Sequence, residues 1–179
     1  MNKGLQTYKL IAEKIKEPTL AILAALLISC FIMSHTQVPT QSMVPTINPG
    51  DHLLVNRLSY YYRDPVRGEI IVFEHEGEHL IKRVIGEPGD LIDIVDGKVY
   101  VNGSELDESS YLTEMNVTFP FSHATIDFPY VVPEGSYFVL GDHRRNSSDS
   151  RAFGPVSRNR IIAKAGYRIL PIQGIGSIK

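Results

Sequence analysis

Apolar positions along the chain fall into two regimes. In residues 1–17, Leu5, Tyr8, Ile11, Ala12 and Ile15 recur at near-helical spacing beside Lys3, Lys9, Lys14 and Lys16, which predicts a short amphipathic helix. From Leu20 to Met33 the run is apolar on every side apart from Ser29, and Thr19 and Ser34 to Val38 flank it with interfacial polarity. With those flanks the stretch 18–38 approaches the roughly 20 residues needed to span a bilayer. No Lys or Arg follows before Arg57. The positive-inside bias therefore predicts a cytoplasmic segment 1–17, a transmembrane signal anchor 18–38 and an extracytoplasmic domain 39–179. A cleaved secretory signal has an apolar region about this short, but no Ala-x-Ala-like site follows Met33, which favours an uncleaved anchor. A buried core helix is the third reading, and the missing amphipathic face argues against it.

Beyond Ile47 the period changes to that of strands. Asn48-Pro49-Gly50-Asp51 is a turn, and His52 to Asn56 reads as a strand. Leu58 to Arg63 fits neither period. Ile70 to Phe73 and His79 to Ile85 are apolar runs of strand length, separated by Glu76-Gly77-Glu78. Asp96-Gly97 between Leu91–Val95 and Lys98–Val101 is a hairpin signal, and Asn102-Gly103 marks the next turn. Residues 104–129 are polar and irregular and predict a long surface excursion. Tyr130 to Val132 and Ser136 to Leu140 bracket Pro133-Glu134-Gly135, and Ile161 to Ile169 reads as a closing strand. The expected fold class is mainly β: an antiparallel, barrel-like domain preceded by one N-terminal transmembrane helix. No internal repeat interrupts this order.

Composition narrows the function classes. The 179 residues are 43% hydrophobic, enough for one globular domain with a core and a short appendage. A formal net charge of −2 gives no electrostatic reason to expect nucleic acid as a partner. Cys30 is the single cysteine and lies in the apolar run, so no intramolecular disulfide can form. Neither a metal nor another cofactor is expected.

Three stretches carry candidate chemistry. Ser42 has Pro39 three residues before it and Pro45 three after it, which predicts a stiff, extended segment. Lys82 interrupts an apolar strand, with Leu80 and Val84 on its own face. Burial there would disfavour the ammonium and leave an amine able to take a proton from a serine hydroxyl. Alternatively Lys82 snorkels to solvent. The third stretch, Gly141 to Arg151, is dense in hydroxyl, carboxylate and guanidinium groups. It offers a rival Ser42–His143–Asp142 triad, disfavoured because adjacent His and Asp side chains in a loop rarely face one another.

In order, these stretches resemble bacterial type I signal peptidases over nearly the whole chain, in a compact Gram-positive-like form. Ser42-Met43-Val44-Pro45-Thr46 is similar to the nucleophile box, Arg67 to Phe73 to the family's Arg-Gly-Asp strand, Ile81 to Asp90 to the general-base box, and Gly141 to Arg151 to the Gly-Asp-Asn-Arg-x-Asn-Ser-x-Asp-Ser-Arg box. The resemblance implies Ser42 as nucleophile and Lys82 as general base. It also implies that Ser147 orients the Lys82 amine, that the Thr40 hydroxyl and the Ser42 N–H form the oxyanion hole, and that Asp149 and Arg151 make a supporting ion pair. Val38, Met43, Ile47, Val72 and Ile81 would line shallow pockets for the small side chains of an Ala-x-Ala site. His143, Arg145 and Glu69 depart from the residues usual at those positions, Asn, Asp and Asp.

The expected function is a membrane-anchored serine endopeptidase that removes signal peptides from preproteins at the outer face of the cell membrane. Its expected partners are signal-peptide-bearing preproteins and the lipid bilayer. A self-cleaving Ser–Lys repressor-type protease would need a DNA-binding domain where residues 1–39 carry an anchor. A non-catalytic, membrane-tethered β module is the alternative outside enzymes.

Overall fold

The computed structural model describes residues 13–26, 33–112, 117–121 and 126–178. Residues 13–26 are helical (α1) and exposed. Among the described residues no helix is long and apolar enough to cross a membrane. The expected span 18–38 falls partly outside the described residues, at 27–32. Its last part is not helix: Met33–Gln37 form strand β1, paired antiparallel with β2 (His52–Asn56). The interfacial polarity read in Ser34 to Gln37 is that of a rim strand, with alternating half-buried and exposed side chains.

Two antiparallel sheets follow from the turn chemistry. The first contains β1, β2, β11 (Ile161–Leu170), β3 (Ile70–His75), β4 (Glu78–Gly86), β9 (Ser136–Leu140) and β10 (Val156–Ser157) in that spatial order, with β12 (Gly176–Ser177) beside β11. The second contains β7 (Ser104–Glu105), β6 (Lys98–Val101), β5 (Leu91–Val95) and β8 (Tyr130–Val131). Asp96 and Gly97 both take positive φ, as a type I′ hairpin requires, and join β5 to β6 in the expected register. Leu58 to Arg63, of no clear period, holds the single helical turn α2 (Ser59–Tyr62).

The expected barrel is not closed. Among the described residues β1 pairs only with β2 and β10 only with β9, so both edges of the larger sheet stay apart. The expected closing strand, β11, instead lies inside the sheet between β2 and β3. Ile70–Phe73 is a continuous apolar run because β3 is covered on both faces. Ile70 and Val72 join a core with Val38, Met43, Leu53 and Ala163, while Ile71 and Phe73 join one with Tyr60, Val84 and Val139. A third core, with Ile85, Ile92, Val101 and Phe138, packs the two sheets together.

Residues 104–129 are not wholly a surface excursion. Thr118 is buried, and Glu108 and Tyr111 turn inward against arginines of the larger sheet and its loops. Part of this stretch, 113–116 and 122–125, lies outside the described residues.

Candidate active site

Ser42 is held by turns rather than by extended chain. The Val44 N–H donates to the Gln41 carbonyl (3.1 Å) and the Ile47 N–H to the Met43 carbonyl (2.8 Å). Met43 and Ile47 are both fully buried, and bringing two side chains four residues apart into one core curls the segment. The flanking prolines fix φ at a value that turns accept as readily as strands, so they did not distinguish the two.

β4 brings Lys82 to this turn. Its side chain is 3% exposed, and Nζ donates to Ser42 Oγ at 2.9 Å and to the Ile81 carbonyl at 3.0 Å. Lys82 therefore does not snorkel. Burial pulls its pKa from 10.5 down to about 8, against the opposing charges of Asp149 and Asp142. An amine so placed is substantially neutral at mildly alkaline pH, with the serine hydroxyl already in hydrogen-bond contact. The Thr40 hydroxyl stands 3.4 Å from Ser42 Oγ, on the same small group.

The loop from Gly141 to Arg151 packs against the Ser42 turn. Its Ser147 hydroxyl is buried and makes no hydrogen bond, so the expected bond to Lys82 is absent from this arrangement. Its place is nonetheless close to the backbone of Ser42. A Cβ at Gly141 would fall 2.1 Å from Ser147 Oγ and 2.5 Å from the Ser42 carbonyl oxygen, so the missing side chain is what lets both approach. Asp149 and Arg151 form the expected ion pair, buried and bidentate, with Nη2 to Oδ2 and Nε to Oδ1 both at 2.8 Å. Asp149 also accepts the Gly141 N–H (3.1 Å) and caps α3 (Ser150–Phe153).

The rival triad does not assemble. Both Asp142 oxygens accept from Arg83, at 2.9 and 2.7 Å, and His143 Nδ1 lies 3.2 Å from the Gln41 carbonyl oxygen. The His143 N–H donates to the Ser42 carbonyl at 3.0 Å, so this residue holds the serine's backbone.

A groove of about 250 Å³ runs from Ser42 and Lys82 along the larger sheet. Val38, Met43, Val72 and Ile81 line it as expected. Ile47 does not; it is completely buried beneath, among Met43, Leu53 and Val55, because the turn points it into the core. Val55, Ile162 and Ala163 complete the floor. They come from β2 and β11, which only the sheet order brings together. Sequence reasoning also missed the buried pairs Arg83–Asp142 and Arg144–Glu108. Arg83 carried a usable signal: like Lys82 it interrupts an apolar strand, with Ile81 and Ile85 on its own face.

A family model described as signal peptidase, peptidase S26, matches residues 11–170. Signal peptidase I of Leptolyngbya laminosa is 35% identical over 178 residues, covering 94% of this chain and 84% of that protein. Signal peptidase I S of Bacillus subtilis (strain 168) is 36% identical over 177 residues, covering 96% of each. Among solved structures, a signal peptidase I from Enterococcus faecalis V583 is 34% identical, with a TM-score of 0.48 over 57% of this chain and 97% of that one. The match runs through the turn, the strand and the loop that build the site, and the chain belongs to the signal peptidase family, peptidase S26, among the type I enzymes.

Proposed function

We propose that this chain is a membrane-anchored serine endopeptidase that removes N-terminal signal peptides from secreted preproteins after Ala-x-Ala-type sites, using Ser42 and Lys82. The observation that carries this is the 2.9 Å contact between Lys82 Nζ and Ser42 Oγ, made by a buried lysine with a depressed pKa. Neutral Lys82 takes the Ser42 proton as Oγ attacks the scissile carbonyl, and the Thr40 hydroxyl and the Ser42 N–H receive the charge that develops on its oxygen. Lys82 then passes the proton to the leaving amine, the new N-terminus of the mature protein. The signal peptide stays as an ester on Ser42. A water gives its proton to Lys82 as it attacks that ester, and Lys82 passes the proton to the departing Ser42 Oγ, which frees the signal peptide and restores the enzyme. The Ser147 hydroxyl, unpaired in the resting arrangement, turns to the Lys82 amine during turnover and steadies it, so that its lone pair is kept for Ser42.

Small residues before the cut suit the groove next to Ser42, whose walls there are Val38, Met43, Val72 and Ile81. The lysine-rich segment 1–17 and the apolar run after it support an anchor with its N-terminus in the cytoplasm and residue 39 onward outside. That anchor ends before β1. Preprotein and bilayer are the partners, and the reaction as drawn uses no cofactor.

The test is cleavage of a preprotein by the purified full chain. Ser42→Ala should be inactive. Lys82→Arg should also be inactive, because a guanidinium keeps its proton at any working pH. Wild-type kcat/KM should rise with pH through about 8 as neutral Lys82 appears. Substantial cleavage by Lys82→Arg would remove lysine as the base.

A further inference from the structure

The excursion between β7 and β8 supplies two side chains to which the proposed reaction assigns no role. Tyr111 lies against the Arg83 guanidinium, 3.9 Å from ring centroid to Cζ, and its hydroxyl donates to Glu108 at 2.7 Å. The Glu108 carboxylate receives both terminal nitrogens of Arg144, whose Nε donates to the Gly141 carbonyl. Arg83 returns to the same loop through its bidentate pair with Asp142. Asp142, Arg83, Tyr111, Glu108 and Arg144 thus form a closed circuit that grips the loop on either side of one residue, His143. That residue's N–H holds the Ser42 carbonyl. The other end of the circuit, Arg83, is the neighbour of Lys82 on β4.

We propose that Tyr111 and Glu108 are positioning residues for the Ser42–Lys82 pair. The circuit ties the loop that holds the serine to the strand that carries the lysine. A stacked guanidinium and charge-assisted, two-pronged carboxylate contacts give such a tie direction as well as strength. Neither side chain lines the groove, so both act through the arginines and neither touches substrate. This inference rests on the Ser42–Lys82 reading and adds what fixes the distance between the two groups. A displacement of about 1 Å at reacting groups can cost on the order of a hundredfold in rate.

The experiment measures preprotein cleavage by the full chain carrying Tyr111→Leu, Tyr111→Phe or Glu108→Gln, well below each variant's melting temperature, with Ser42→Ala in parallel. Tyr111→Leu keeps bulk but cannot stack or donate. Its kcat should fall about tenfold or more, with KM within about twofold of wild type. Tyr111→Phe keeps the stack but cuts the bond to Glu108, so its kcat should also fall, by no more than that of Tyr111→Leu, whereas a merely structural tyrosine would move the melting temperature and leave kcat per folded molecule alone. Glu108→Gln loses the charge on Arg144 and should again lower kcat without raising KM. Wild-type kcat in Tyr111→Leu, or in both Tyr111→Phe and Glu108→Gln, overturns the proposal. If Tyr111→Leu does not fold, Glu108→Gln decides, and unchanged kcat there overturns it. An active Ser42→Ala would fell the serine mechanism itself. An inactive Ser42→Ala beside a fully active Tyr111→Leu would fell the positioning role alone.

Discussion

Ser147 separates what a residue does for stability from what it does for the reaction. Its hydroxyl is buried with no hydrogen bond, so in this arrangement it costs free energy rather than supplying it. Removing a buried, unpaired polar atom usually leaves stability unchanged or raises it, by up to about 1–3 kcal/mol. If the hydroxyl serves the Lys82 amine during turnover, Ser147→Ala should melt at or above the wild-type temperature and still lose much of its kcat. Thermal melting beside preprotein cleavage checks both halves, and unchanged kcat would take Ser147 out of the mechanism. Single residues at the site were legible for a chemical reason. Lys82 stood out because an ammonium among apolar strand neighbours needs an explanation, and the structure gives it one in Ser42. Ile47 was misplaced because an apolar residue near a serine serves a core or a pocket equally well. Only the turn that aims it into the core decides.

Between elements, the loop Gly141–Arg151 shows how a buried ion pair tunes a neighbour's proton. The charge of Asp149 raises the Lys82 pKa against the lowering by burial. Asp149→Asn should therefore lower it further, moving the rising limb of kcat/KM to more acid pH. The same change strands Arg151, whose guanidinium is buried, and breaking such a pair typically costs about 3–5 kcal/mol. The expected variant is thus less stable yet has its limb shifted to lower pH, when the profile is measured at a temperature where it is folded. A limb that stays at about pH 8 would show that Asp149 does not reach Lys82 electrostatically. Strands were read well at this scale because apolar period and turn residues mark them locally, as the Asp96-Gly97 hairpin shows. The stretch 104–129 was misread for the opposite reason. Glu108, Tyr111 and Thr118 are polar, and polarity alone does not tell a solvated loop from one whose polar groups pair with buried arginines.

Over the whole molecule, the strand β1 decides where the catalytic domain begins. Hydropathy joined Met33 to Val38 to the anchor, since a rim strand beside an apolar run carries the same mixture of side chains as an interfacial flank. The pairing with β2 separates them: Ser34↔Val55, His35↔Leu54 and Thr36↔Leu53 put these residues in the sheet. Val38 lies in the core with Met43 and Val72, its N–H on the Asp51 carbonyl (2.9 Å) and its carbonyl receiving the Gly50 N–H (2.8 Å). β1 and the Val38 that follows it also form one wall of the groove, from Ser34 to Val38. A chain starting at residue 33 keeps every one of these contacts, whereas a chain starting at 39 loses a five-residue strand pairing and a buried valine. Truncating a buried Val side chain alone removes about 1.5–3 kcal/mol of burial. That is a large part of the roughly 5–15 kcal/mol that holds a domain folded. The chain from 33 should fold and cleave a soluble preprotein peptide with kcat close to that of the full chain. The chain from 39 should melt at a clearly lower temperature and cleave poorly even where folded, because one wall of its groove is missing. Equal melting and equal cleavage by the two would place the boundary at 38 and make β1 a passive extension of the proposed anchor.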